Sequence, residues 1–306
     1  MSGKFKDINT INHNIDLLYQ FSLANKSSLK IFHRSTRDIT NLNVLKCSKS
    51  GVIVLEKFVT PEEYYEKNIY YTDEFKGLEK TVKGLIRTKP LEDDLRRFKS
   101  YKELINGSEL LDFGCGRGDF VKLADKISKN TIGLEINKAN REYINNIGIK
   151  CIKSLSELNE VKFDLITLNH VFHYLNDPIN TLIELQKYLK DEGIIIIEVP
   201  HARDLLLETF NLESFKKFTF FSESLILHTR ESLEKFATNS GLQLKNIKGI
   251  QRYPISNHYN WLLNSKPSGH EIFPHLNNDN FHNHYEKLLD RINQTDTLIG
   301  FFTKNI

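Results

Sequence analysis

Asp112, Gly114, Gly116 and Gly118 fall at alternate positions in the stretch Glu109–Leu110–Leu111–Asp112–Phe113–Gly114–Cys115–Gly116–Arg117–Gly118–Asp119–Phe120. An apolar run that ends in a carboxylate and opens into three glycines can bring a ligand against bare backbone. Glycine carries no Cβ and tolerates positive φ. The dinucleotide fingerprint, G-x-G-x-x-G, sets its third glycine three residues after the second, whereas the spacing here is G-x-G-x-G. Glu135 closes a second apolar run, Thr131–Ile132–Gly133–Leu134, 19 residues after Gly116. A carboxylate one strand–turn–helix–strand unit beyond a glycine turn can accept both hydroxyls of a ribose. A further apolar run, Phe163–Asp164–Leu165–Ile166–Thr167–Leu168, exits through Asn169 and His170.

In order and spacing these segments resemble class I S-adenosylmethionine (SAM) methyltransferases of the type 11/12 group. The glycine turn resembles their motif I. Phe172–His173–Tyr174–Leu175–Asn176–Asp177–Pro178 resembles the segment after their fourth strand, and Leu189–Lys190–Asp191–Glu192–Gly193 with Ile194–Pro200 resembles their fifth. The resemblance covers about 109–245 and implies SAM as cofactor. Asp112, Gly114, Cys115, Gly116 and Gly118 would surround its amino-acid tail and Glu135 would hold the ribose. Ile136 would flank the adenine, and Asn169 and His170 would lie beside the transferring methyl. The loop at Ser154 and Leu155 would also meet the adenine, although the acidic residue frequent there in the family is missing from the obvious position. An NAD-type oxidoreductase fits the misplaced third glycine poorly. A non-catalytic SAM-fold partner protein stays open.

Methyl transfer from a sulfonium releases a neutral thioether and needs alignment and exclusion of water more than acid catalysis. An oxygen acceptor adds the need for a base. The candidates are His170, His201 just after the fifth strand, and His258 and His270 in the stretch that follows residue 250. That stretch, Ile250–Gln251–Arg252–Tyr253–Pro254–Ile255–Ser256–Asn257–His258–Tyr259–Asn260–Trp261–Leu262, is dense in polar and aromatic groups and is followed by Lys266. It reads either as a capped surface loop or as a lid over the acceptor. In the lid reading Arg252 or Lys266 would hold a phosphate or carboxylate, and Tyr253 and Trp261 would give stacking surfaces. Phe220–Phe221–Ser222–Glu223–Ser224–Leu225 is similar to a segment of the sugar C-methyltransferases. Glu223 stays as a substrate-side residue, but Phe221, Ser222 and Ser224 replace the tyrosine and both histidines of that pattern. The expected reaction is therefore methylation at oxygen of a small polar acceptor, a sugar or nucleotide-linked precursor of a surface polysaccharide, with sugar C-methylation as the alternative.

The elements that must carry these residues alternate strand and helix from about 109 to 200, which implies a parallel sheet. The resemblance extends this to an α/β fold, a doubly wound, Rossmann-like seven-stranded sheet whose last two strands are Leu242–Ile247 and Leu298–Thr303. Thr229 is placed to cap a helix from Arg230 to Ser240, ended by Gly241. Residues 101–306 form the methyltransferase domain in this reading, with 251–295 inserted as the lid. Residues 1–100 lack the βαβ rhythm and read as a small α+β extension. It has short strands at Leu29–Phe32, Asn43–Cys47 and Gly51–Leu55 and a helix opened by Thr60 and Pro61.

The chain has 306 residues, 40% apolar and 26% charged, which suits a globular fold with a real core. A net charge of +3 without a Lys/Arg block argues against nucleic acid, as does Asn169–His170–Val171–Phe172 in place of an Asn-Pro-Pro-Tyr-like tetrapeptide. Three separated cysteines, at 47, 115 and 151, form neither a metal motif nor a paired framework. Met1–Asp7 lacks the apolar core of a signal peptide and no run reaches membrane-spanning length, so a cytoplasmic protein acting on a small molecule, without membrane association, is expected. Oligomeric state is not legible. His282 and His284, two residues apart without an acidic partner, read as solvent-facing rather than as metal ligands.

Overall fold

Apolar runs too uniform for a half-solvated sheet set the architecture. Leu110, Leu111, Ile132, Leu134, Leu165, Ile166, Leu168 and Ile195–Ile197 are all buried, the pattern of strands covered on both faces. The computed structural model describes residues 10–60, 65–66 and 91–305. Most of the helix expected from Pro61, and Met1–Asp7, lie outside the described residues.

In chain order the elements are β1 (Thr10–Ile11), α1 (His13–Gln20), β2 (Leu29–His33), β3 (Val44–Cys47), β4 (Ile53–Leu55), β5 (Lys57–Phe58), α2 (Glu92–Ile105), β6 (Glu109–Phe113), α3 (Asp119–Ala124), β7 (Asn130–Leu134), α4 (Lys138–Asn146), β8 (Lys150–Ile152), β9 (Phe163–Asn169), α5 (Pro178–Tyr188), β10 (Leu189–Pro200), α6 (Leu205–Glu208), α7 (Glu213–Thr219), β11 (Ile226–Leu227), α8 (Arg230–Asn239), β12 (Leu242–Ile250), α9 (Ile255–Asn264), α10 (Gly269–Ile272), α11 (Asp279–Arg291) and β13 (Thr297–Lys304). Seven strands form one sheet in the order β12-β13-β10-β9-β6-β7-β8. Its β6–β7, β6–β9 and β7–β8 pairs are parallel. This is the expected Rossmann-like α/β sheet.

The chain divides into two compact units, each drawing on residues from both sides of residue 100. One comprises Met1–Val59, Phe172–Asn180 and Glu198–Phe301, the other Thr60–Val171, Thr181–Ile197 and Phe302–Ile306. In the first, β2, β3 and β4 form the three expected strands, and β11 completes them as a four-stranded sheet, β11-β4-β3-β2. That joining strand was missed because Ile226–Leu227 is too short to carry a period. The sheet packs on Leu42, Val44, Ile53, Leu55, Leu207, Phe220 and Leu227. Buried Asn12 donates to the carbonyls of Leu55 at 3.0 Å and Leu225 at 2.8 Å, tying two segments far apart in sequence. Helix α8 starts as expected, with a reciprocal cap between Thr229 and Ser232, and Gly241 follows it at φ +95°.

Residues between β12 and β13 form α9, α10 and α11. The insertion is pinned at its base by Asp296. Its carboxylate accepts from the Gln251 side-chain amide at 2.9 Å and from the Arg252 N–H at 3.0 Å, and its own N–H donates to Gln251 at 3.2 Å.

Candidate cofactor site

Register places the chemistry of the glycine turn. Asp112 on β6 is paired with Thr167 on β9 and with Gly133 on β7. Side chains two apart on a strand share a face, so Thr167 and Asn169 both reach Asp112. Its Oδ1 accepts from Thr167 Oγ1 at 2.7 Å and Asn169 Nδ2 at 3.1 Å. Asp112 is 2% exposed, and burial pushes its carboxyl up to about 7. Because the Asn169 amide nitrogen donates to Asp112, its oxygen is fixed as an acceptor. That Oδ1 is buried and has no donor.

Past β6 the backbone folds over β7, with the Gly114 and Cys115 N–H groups donating to the Leu134 carbonyl. Gly114 is at φ +75°, and a Cβ there would lie 2.4 Å from Val171 Cγ2. Gly116, at φ +54°, would meet nothing within 4 Å. The first glycine lets the turn pack down, while the second leaves an open cradle. Gly118, at φ +79°, precedes α3. Glu135 reaches back to the same turn. One of its carboxylate oxygens accepts from the Gly116 N–H at 2.8 Å and the other from the Asn137 N–H at 2.7 Å. Burial raises its carboxyl above the ordinary range. Each oxygen keeps a lone-pair direction for a hydroxyl donor. Ile136 is half-buried, and its carbonyl accepts from Arg141.

His170 follows Asn169 with φ +55°, a left-handed conformation uncommon for a residue with a side chain, and it is half-buried. In the turn after β8, Glu157 receives the N–H groups of Lys153 and Ser154. The acidic residue of that loop is thus engaged with backbone. Two features of this unit escaped the sequence reading. Asp94 and Arg97 on α2 form a buried ion pair at 2.7 Å, visible in sequence only as one of several i, i+3 charge pairs. Cys115 and Cys151, 36 residues apart, bring their sulfurs to 3.8 Å, and a Cβ on Gly133 would strike Cys115 Sγ at 2.6 Å. The three cysteines therefore do not all stand alone.

The other candidates lie in the other unit, and several serve its interior. Trp261 is 1% exposed and packs on Phe215 and Phe218 with ring centroids at 5.2 and 5.0 Å. It offers no exposed stacking face, contrary to expectation. His258 is buried, bonded through Nδ1 to the Tyr285 hydroxyl at 2.6 Å, and burial drops it to about 4. His201 is 1% exposed. Its Nδ1 donates to the Thr295 carbonyl at 2.9 Å, and burial drops it to about 3. As buried, bonded imidazoles, His201 and His258 lack the exposure that a base facing an acceptor requires. Glu223 is also buried, and the adjoining Ser222 donates from its hydroxyl to Asp38 at 2.5 Å. Tyr253 and Lys266 are exposed, while Arg252 and His270 are half-buried. The Arg252 guanidinium lies 5.4 Å from the Tyr253 ring centroid. Among the described residues no group of three metal-ligating side chains occurs, and no helix is long and apolar enough to cross a membrane.

A largely parallel seven-stranded sheet with a glycine turn after β6, met by the carboxylate that follows β7, is a Rossmann-like α/β arrangement. A family model described as a methyltransferase domain matches residues 86–247, and the chain belongs to that family, the SAM-dependent methyltransferases of class I. Its curated relatives include an uncharacterized protein of Methanocaldococcus jannaschii, 29% identical over 144 residues, 46% of this chain and 66% of that one. An uncharacterized protein of Haemophilus influenzae is 28% identical over 111 residues, 32% of this chain and 44% of that one. The matches thus span less than two thirds of either relative's length. Among solved structures, a SAM-dependent methyltransferase from Archaeoglobus fulgidus aligns with a TM-score of 0.50 at 16% identity, over 78% of this chain and 100% of that one, which is a likeness of fold.

Proposed function

We propose that the protein transfers a methyl group from SAM to an oxygen of a small polar acceptor, a sugar or a nucleotide-linked precursor of a surface polysaccharide, with His170 as the base. Bound SAM supplies the electrophilic methyl. Asp112 and the Asn169 amide oxygen would receive the cofactor's ammonium, the bare backbone from Gly114 to Gly118 its tail, and Glu135 its ribose hydroxyls. The orphaned, buried Asn169 Oδ1 supports this assignment, since an ammonium is the donor it lacks. For the base, the carrying observation is the left-handed backbone at His170, directly after a residue fixed to Asp112. Strain of this kind persists where the surroundings hold it and recurs at reactive centres. Among the polar side chains of the insertion, Arg252, Tyr253 and Lys266 have exposure suited to an acceptor. Oxygen is favoured over carbon because Ser222 and Ser224 stand where proton-handling histidines would serve carbon methylation.

The test is turnover of methyl-labelled SAM with a panel of sugars and sugar nucleotides, read by mass gain and by NMR for a methoxy group. A new carbon–methyl bond would refute oxygen as acceptor. His170→Asn, which keeps a residue tolerant of left-handed backbone, should cut turnover by about 10²–10⁴ with SAM affinity unchanged. Full turnover in that variant would remove His170 from the reaction.

A further inference from the structure

A second charged recess lies in the unit built on the four-stranded sheet. The β3–β4 turn, with β2 and α6, borders an open recess of about 290 Å³ lined by Lys30, Lys46, Lys49 and Arg203 against a single carboxylate, Glu208. Lys30 and Lys46 are direct partners across the antiparallel β2–β3 ladder, so two ammonium groups rise from the same face, an arrangement that costs stability when left alone. Glu208 bonds Lys46 at 2.5 Å, and Lys49 donates to the Ser22 carbonyl at 2.8 Å. Arg203 lies over the bare Cα of Gly51, whose φ is +79° and where a Cβ would come within 3.2 Å of Arg203 Nε. One guanidinium nitrogen reaches the Ser50 carbonyl at 3.5 Å, while its Nε–H is buried with no acceptor. A recess that sets four cationic side chains against one carboxylate suits a compact anion rich in acceptor oxygens.

We propose that this recess binds a phosphate group, held by Arg203 and the Lys30–Lys46 pair, either on a phosphorylated small molecule or as the free anion. Nothing in it depends on the methyl-transfer reading. The full chain, without cofactor, is titrated calorimetrically at constant ionic strength with inorganic phosphate and, separately, with a hexose monophosphate. Saturable binding is expected, about tenfold or more weaker in Arg203→Gln and in Lys30→Gln, with SAM affinity unchanged in both variants. A tighter hexose monophosphate marks an ester as the ligand, and equal affinities mark the free anion. Lys30→Gln also relieves the opposed charges, so its melting temperature without phosphate should rise and its gain from added phosphate should shrink. The proposal is overturned if neither probe saturates, or if binding survives both substitutions.

Discussion

Replacing Asp112 by asparagine should make the cofactor-free protein more stable and a poorer binder of SAM. The folded protein keeps the Asp112 proton up to about pH 7, whereas the ordinary carboxyl releases it near 3.8. Folding therefore takes up a proton between those values. The group's contribution to stability falls as pH rises from about 4 and levels off above about 7. Integrating the linkage, the buried charge costs about 3 kcal/mol near pH 6 and about 4 kcal/mol near pH 8. Asparagine keeps a carbonyl oxygen for Thr167 and Asn169 and removes that charge. Repacking at the site adds a term independent of pH, so the decisive quantity is the change with pH. The stability advantage of Asp112→Asn should grow by about 1 kcal/mol between about pH 6 and about pH 8, measured by urea unfolding without cofactor. Calorimetry on the same variant should show SAM affinity about 10–100-fold lower, the loss of one charge-assisted bond to the cofactor's ammonium. In the wild type, SAM affinity should rise as pH climbs toward about 7, since binding an ammonium there displaces the proton. An advantage flat with pH would refute the account of a charge held ready for a cationic partner.

Three further outcomes follow from the geometry. Glu135→Gln should weaken SAM by about 10–100-fold in calorimetry, because one oxygen that receives Gly116 or Asn137 becomes a donor facing a donor. Gly116→Ala should cost about 1–2 kcal/mol in folding, for its left-handed backbone, yet markedly weaken SAM because its methyl enters the open cradle. Gly114→Ala should destabilise more, through the added clash with Val171, and the two are separated by comparing melting temperature with affinity. His228 is fully buried and burial drops it to about 3. The stability it confers is complete above about 6.5 and is lost as pH falls toward 3, by up to about 1.4 kcal/mol per pH unit, so His228→Phe should flatten the acid limb of urea midpoints.

The approach of Glu135 to the glycine turn was legible because strand register dictates it. Once β6 and β7 pair in parallel, Glu135 must emerge beside the turn that follows Phe113, and spacing alone carries that information. The Thr167–Asn169 grip on Asp112 follows from the same logic, but needs the β6–β9 offset that no single sequence prints. The Cys115–Cys151 proximity and the Asp94–Arg97 pair were invisible for the opposite reason. They depend on a glycine on the intervening strand and on how one helix packs, and neither leaves a period in the sequence.

The stretch after Ile250 misled for a physical reason. A stretch rich in Gln, Arg, Tyr, Asn, His and Trp looks like a binding surface, yet three short helices inserted between adjacent strands bring buried polar groups that must be satisfied. Gln251 answers Asp296, His258 answers Tyr285, and Asn260 donates to the carbonyls of Lys266 and Pro267. Trp261 fills a ring cluster. Those side chains hold the insertion in shape, so under the proposed function the acceptor contacts fall to the exposed and half-buried ones. Trp261→Ala should therefore cost about 3–5 kcal/mol in unfolding free energy. Tyr253→Ala and Lys266→Ala should leave unfolding almost unchanged and raise KM for the acceptor, the split read by urea titration and by steady-state kinetics. A Trp261 variant of wild-type stability with a raised KM would return the tryptophan to the acceptor surface and invert this division of labour.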